Sequence, residues 1–185
     1  MRPLLLALLL SAAASFAQTP TTAPAPDPLA SLDFLAGTWT ASTTTAGSAA
    51  AHANGTYTFR RDLEGHALQR TSSADHCTAP AAFDCNHHDQ LTIFPDPHGQ
   101  ALHHAGIFAL YLDNEGHVIY YTVTTPDAST AVFNSQGPPT LPSFRLTYHL
   151  QGSGPTAVMT GKFQVAAPGS TDFHSYLEWT GTRQP

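Results

Sequence analysis

The fold of this chain is read from Ser31-Leu32-Asp33-Phe34-Leu35-Ala36-Gly37-Thr38-Trp39-Thr40. Leu32, Phe34, Leu35 and Trp39 set large apolar side chains close together, with a glycine just ahead of the tryptophan. Pro28 or Ser31 can open a short helix, and Gly37 can end it in the left-handed conformation that glycine adopts freely. Trp39 then begins the first strand and plugs one end of whatever the later strands enclose.

From Trp39 onward the chain reads as short strands punctuated by turn residues. Asn54-Gly55 marks a turn into Thr56 to Arg61, where Tyr57 and Phe59 alternate with Thr58 and Arg60. Leu63-Glu64-Gly65 turns the chain into His66 to Ser72, and a cysteine-containing loop follows from Asp75 to Asp89. Gln90 to Phe94 is the next strand, stopped by Pro95-Asp96-Pro97-His98-Gly99. Ala101 to Leu112 reads as one long apolar strand, and Asp113-Asn114-Glu115-Gly116 as a tight turn into His117 to Thr124. After Ser129 to Asn134 and a proline-rich loop, three clear strands remain, the first alternating Phe144, Leu146, Tyr148 and Leu150 with polar residues. Roughly ten strands at the spacing of sandwiches and barrels, with one short helix, predict an all-β fold. Successive hairpin connections favour an antiparallel up-and-down barrel, which leaves no exposed edge.

A short helix, Gly37-Thr38-Trp39 opening the first strand and a strand meander together resemble the calycin superfamily. Its members include lipocalin-like, fatty-acid-binding-protein-like and nitrobindin-like barrels, and the chain is most similar to exported bacterial lipocalin-like proteins. The resemblance gives Gly37, Trp39 and Arg183 structural roles, with the Arg183 guanidinium packed over the Trp39 indole at the barrel base. It departs from the haem-binding branch, because Thr40-Ala41-Ser42 lacks the glycine pair that follows the tryptophan there.

Met1-Arg2-Pro3, the apolar run Leu4 to Leu10 and small residues to Ala17 predict a cleavable signal peptide over residues 1–17. A Pro/Thr/Ala-rich linker follows over 18–28, leaving 29–185 as one barrel domain. The expected location is exported, either periplasmic or secreted. With 7 Lys and Arg against 13 Asp and Glu, the chain carries a formal charge of −6. An acidic, lysine-poor surface argues against nucleic acid as a partner, and no later apolar run is long enough for membrane insertion.

Cys77 and Cys85 are the only cysteines, and in an oxidising compartment they read as a disulfide. The other reading is a tetrahedral metal site, joining their thiolates to His76, His87 and His88. His103 and His104, if adjacent on a strand, point to opposite faces. Apolar residues flank both, so periodicity does not say which one faces inward.

Candidates for the barrel lining are Tyr57, Phe59, His104, Phe108 and Tyr121 from the first half of the barrel. Phe144, Tyr148, Met159, Phe163 and Trp179 come from the second. These faces either fill a small barrel or enclose one ligand. Arg60, Arg70 and Arg145 alternate with apolar residues, and any one turned inward is a polar anchor. No nucleophile elbow, phosphate-binding loop, zinc-protease helix or dinucleotide fingerprint occurs, so the sequence assigns no catalytic residue and no cofactor. The expected function is binding a small, mostly apolar molecule inside the barrel. The alternatives are an envelope structural module with a packed interior, bound to a protein partner, and a metal- or haem-binding barrel.

Overall fold

The computed structural model describes residues 26–43, 52–78, 85–100 and 103–185. The expected signal peptide and most of the linker lie outside the described residues. The first element is a 3-10 helix, Ala30–Leu35, and ten strands follow. They are β1 Gly37–Thr43, β2 His52–Asp62, β3 Ala67–Thr78, β4 His88–Asp96 and β5 Gly106–Asp113. The remainder are β6 Val118–Asp127, β7 Thr130–Ser135, β8 Ser143–Gln151, β9 Val158–Ala166 and β10 His174–Arg183. Each pairs antiparallel with its sequence neighbour, and β10 pairs with β1 to close the barrel. The all-β, ten-stranded barrel read from the strand spacing is the observed architecture.

The helix seals one end. Leu29, Leu32 and Leu35 are fully buried, and so is Trp39, whose indole N–H donates to the Leu35 carbonyl at 3.0 Å. The Arg183 guanidinium lies 4.8 Å from the centre of the Trp39 ring and donates to the Ala36 carbonyl at 2.8 Å. That contact joins the last strand to the first and covers the indole with a cation. Arg61 fixes the other side of the helix through Asp27 at 2.8 Å and Asp33 at 2.6 Å.

Several local expectations are corrected. The helix is not capped by Ser31 or Pro28; the Asp27 carboxylate accepts the Leu29 amide at 2.9 Å instead. Ala36 ends the helix, and Gly37, at φ +126°, is the corner where β1 begins. Asn54-Gly55 is no turn, because β1 and β3 flank it and hold it extended, with only a register shift between the two residues. Pro95 does not stop β4; it sits opposite Ile107 on β5, which spans Gly106–Asp113 rather than Ala101 to Leu112.

Below the barrel's middle the interior is solid. Phe59, Leu68, Leu91, Ile93, Phe133, Tyr148 and Met159 are all nearly or fully buried and belong to one cluster with the helix leucines and Trp39. Phe59, Phe133 and Tyr148 meet edge to face, with centroids 5.3 Å and 6.1 Å apart, the arrangement that aromatic quadrupoles favour. Removing the plug should therefore loosen the whole base. Trp39→Ala is expected to cost about 3–5 kcal/mol in urea unfolding; a loss below about 1 kcal/mol would show that the plug is dispensable.

Candidate functional site

The end of the barrel opposite the helix is hollow. A cavity of about 380 Å³ opens there, lined by the ends of β1 to β3, the β5–β6 turn and the ends of β8 to β10. Its volume falls within the range of small-molecule sites, roughly 300–1,000 Å³. Ala41, Gly55, Ser72 and Ala74 are among the lining residues of β1 to β3, and their small side chains leave space that bulky ones fill lower down.

One wall is apolar. Phe144, Leu146, Phe163, Val165, Leu177 and Trp179 come from β8, β9 and β10, while Ile119 and Tyr121 come from β6. Phe144 and Phe163 stack with centroids 5.8 Å apart, and the Tyr176 ring meets Phe163 edge-on. Gly161 is a close-approach position: a Cβ there would land inside the Trp179 indole, which lies flat over it. The Tyr57 hydroxyl and the Trp179 indole nitrogen are both buried here, facing each other but outside good hydrogen-bond geometry. Burial pushes the Tyr57 hydroxyl well above the usual tyrosine range.

The facing wall is charged and closely connected. Arg70, the inward arginine of β3, is 5% exposed and bonds both the Asp89 carboxylate of β4 and the Tyr148 hydroxyl of β8. Burial opposes the charge on each, but the pair outweighs it. Arg70 is held above its ordinary range, and Asp89 is held below the usual carboxylate range. Asp89 also lies 3.5 Å from Nε2 of His87, whose Nδ1 is 2.9 Å from Oε1 of Glu115. The bond to Asp89, with Glu115 added and burial opposing, pushes the His87 imidazole up to about 9. The Tyr111 hydroxyl donates to Asp113 at 3.1 Å and lies 3.2 Å from Nε2 of His87. Asp113 accepts the amides of Glu115 and His117 and lies 2.8 Å from the His117 imidazole, so it shapes the β5–β6 turn while lining the cavity.

Of the lining residues expected from sequence, Tyr57, Tyr121, Phe144, Phe163 and Trp179 border the cavity. Phe59, Tyr148 and Met159 face inward but lie in the solid base, where they are core. Phe108 and His104 are corrections. Ala109 and Tyr111 take the inward positions of β5, so Phe108 faces the other way, packed against Phe94 and the His104 ring. His103, with φ +62°, and His104 precede β5, so neither is a strand residue. Arg60 and Arg145 face outward, Arg60 beside Asp62 and Gln69, and Arg145 over the Phe173 ring at 3.9 Å. Arg70 alone of the three turns inward.

Cys77 and Cys85 lie at disulfide distance, with Cα atoms 5.3 Å apart, which removes their thiolates as metal donors. His76 and His88 are exposed beside them. His87 instead joins Asp113 and Glu115, and one donor atom from each lies within 4.8 Å of the others. Asp89, Tyr111, Asp113, Glu115 and His117 also line the cavity, and the sequence does not single them out. The readable signal was Asp89 in step with Leu91 and Ile93, a carboxylate on an inward face that would need a cation.

The chain matches no protein-family model, and no curated protein matches it.

The buried ion pair makes a sharp prediction. Asp89→Asn leaves the Arg70 guanidinium uncompensated and is expected to lose about 3–5 kcal/mol of unfolding free energy, while the double replacement Arg70→Met with Asp89→Leu recovers most of it. Equal losses in both variants, measured by urea titration, would show that the charges are not coupled.

Proposed function

We propose that this chain is an exported, lipocalin-like barrel that binds one small, mostly apolar molecule in its hollow upper half. The observation that carries this reading is the 380 Å³ cavity with an aromatic wall facing a charged one. Apolar surface moved from water onto Phe144, Phe163, Leu177 and Trp179 contributes roughly 25 cal/mol per Å². The opposite wall of Arg70, Asp89, Tyr111 and Asp113 orients whatever polar group the molecule has, because a misplaced polar group would be buried unpaired. A packed structural module has no use for this cavity, which its own side chains could have closed.

Export is supported by the leader-like Met1 to Ala17 and by a cysteine pair of the kind that oxidising compartments keep joined. The calycin-like order of a short helix, Gly37-Thr38-Trp39, the closed meander and Arg183 over the indole supports the carrier reading at the level of fold.

The test is saturable uptake of a neutral apolar fluorophore, N-phenyl-1-naphthylamine. One molecule per chain is expected, and Val165→Trp, which fills the cavity from β9, should abolish binding while leaving the far-ultraviolet circular dichroism unchanged. Uptake that does not saturate, or that survives Val165→Trp, would refute the interior site.

A further inference from the structure

Along the charged wall, three carboxylates gather around one imidazole. Asp89, Asp113 and Glu115 crowd the His87 imidazole, and among the described residues Arg70 is the only guanidinium that lines this wall. The Asp113 side chain is 2% exposed, so much of this negative charge is screened poorly by solvent. The donor set is mixed in the way cation sites are: one imidazole nitrogen and two carboxylate oxygens, within 4.8 Å of one another.

The arrangement behind these atoms is equally specific. His87 presents Nδ1 toward Glu115 at 2.9 Å, while its other nitrogen lies 3.5 Å from Asp89, which Arg70 holds in turn. A carboxylate on the far nitrogen of a metal-binding histidine fixes the ring and makes it a stronger donor. Asp113 is held in place by the Tyr111 hydroxyl and the His117 imidazole at one oxygen and by the Glu115 and His117 amides at the other. Two tethers bring the donors together: His87 follows Cys85 by two residues in the loop joined to Cys77, and Asp113 and Glu115 share the tight turn between β5 and β6.

We propose that His87, Asp113 and Glu115 form a binding site for one divalent transition-metal cation, with zinc the best fit to the donors. On binding, the ion takes the place of the proton shared between His87 and Glu115, and that proton passes to solvent. Three protein donors leave a further coordination position, and since all three residues line the cavity, that position is available to water or to a polar group of an occupant. The proposal does not depend on what else the cavity holds.

The experiment is calorimetric titration of the full, chelator-treated chain with zinc chloride alone, and with manganese and calcium chloride for comparison. One zinc per chain is expected, bound more tightly than either other ion. Glu115→Gln and His87→Ala should each weaken it by roughly tenfold or more. His88→Ala and His76→Ala, which remove exposed neighbouring imidazoles, should leave it unchanged. Glu115 is 40% exposed, so its variant is expected to fold, and circular dichroism would confirm this. No binding, or zinc binding that survives Glu115→Gln with His87→Ala but falls in the His76 or His88 variants, would overturn the proposal. The second of those results would identify adventitious capture by surface imidazoles. Failure of this test would leave fluorophore uptake unaffected, and failed fluorophore uptake would leave the zinc site standing.

Discussion

A guanidinium inside a β-barrel must be paired, and the pairing of Arg70 organises this molecule. Its bonds to Asp89 and Tyr148 tie β3 to β4 alongside it and to β8 across the interior. Taking both ions out of water costs several kcal/mol each, a cost offset only by close contact and by partners for their remaining polar atoms. His87 serves Asp89 in that way, and through Glu115 it carries the network on to the mouth. Hydrophobic residues of similar size would fill this layer as well or better for stability alone. The network sits at the boundary between a solid base and a hollow top.

Side-chain size explains that boundary. Below it, inward positions carry Phe59, Leu68, Leu91, Ile93 and Phe133, which interlock up to the Trp39 plug. Above it, β1 to β3 contribute the small residues Ala41, Gly55, Ser72 and Ala74 beside Tyr57, and most of the aromatic rings come from the opposite strands. Small residues against large ones would pack solid if the sheet could collapse. Barrel closure fixes the strand spacing and prevents that, so the mismatch remains as space.

The sequence made the architecture legible because strand alternation and turn residues are local signals. The glycine before Trp39, the Phe144 to Leu150 alternation and the Asp113 to Gly116 turn all stand where the structure has them. Arg183 over Trp39 was foreseeable from resemblance to known barrels, whereas the Arg61 clamp on Asp27 and Asp33 was not, since nothing in the sequence pairs residues so far apart. The inward face of β5 was unreadable for a clear reason: Phe108 and Leu110 are as apolar as Ile107 and Ala109, because the outer face of this strand is covered near Phe94. The site was half visible. Its aromatic wall follows from alternation, but its charged wall depends on which arginine turns inward, and Arg60, Arg70 and Arg145 share one local pattern. Register decides among them, by setting Asp89 one pleat from the partner of Arg70 on the next strand.

The proposed carrier role requires the upper half of the barrel to be occupied. Native mass spectrometry of the chain recovered from the cells that make it tests this most directly. A carrier should show a reproducible adduct, released on denaturation, with the mass of one small organic molecule, alone or accompanied by one metal ion. A bare chain mass under conditions that preserve the fold would contradict it, and would make the cavity a packing defect rather than a site.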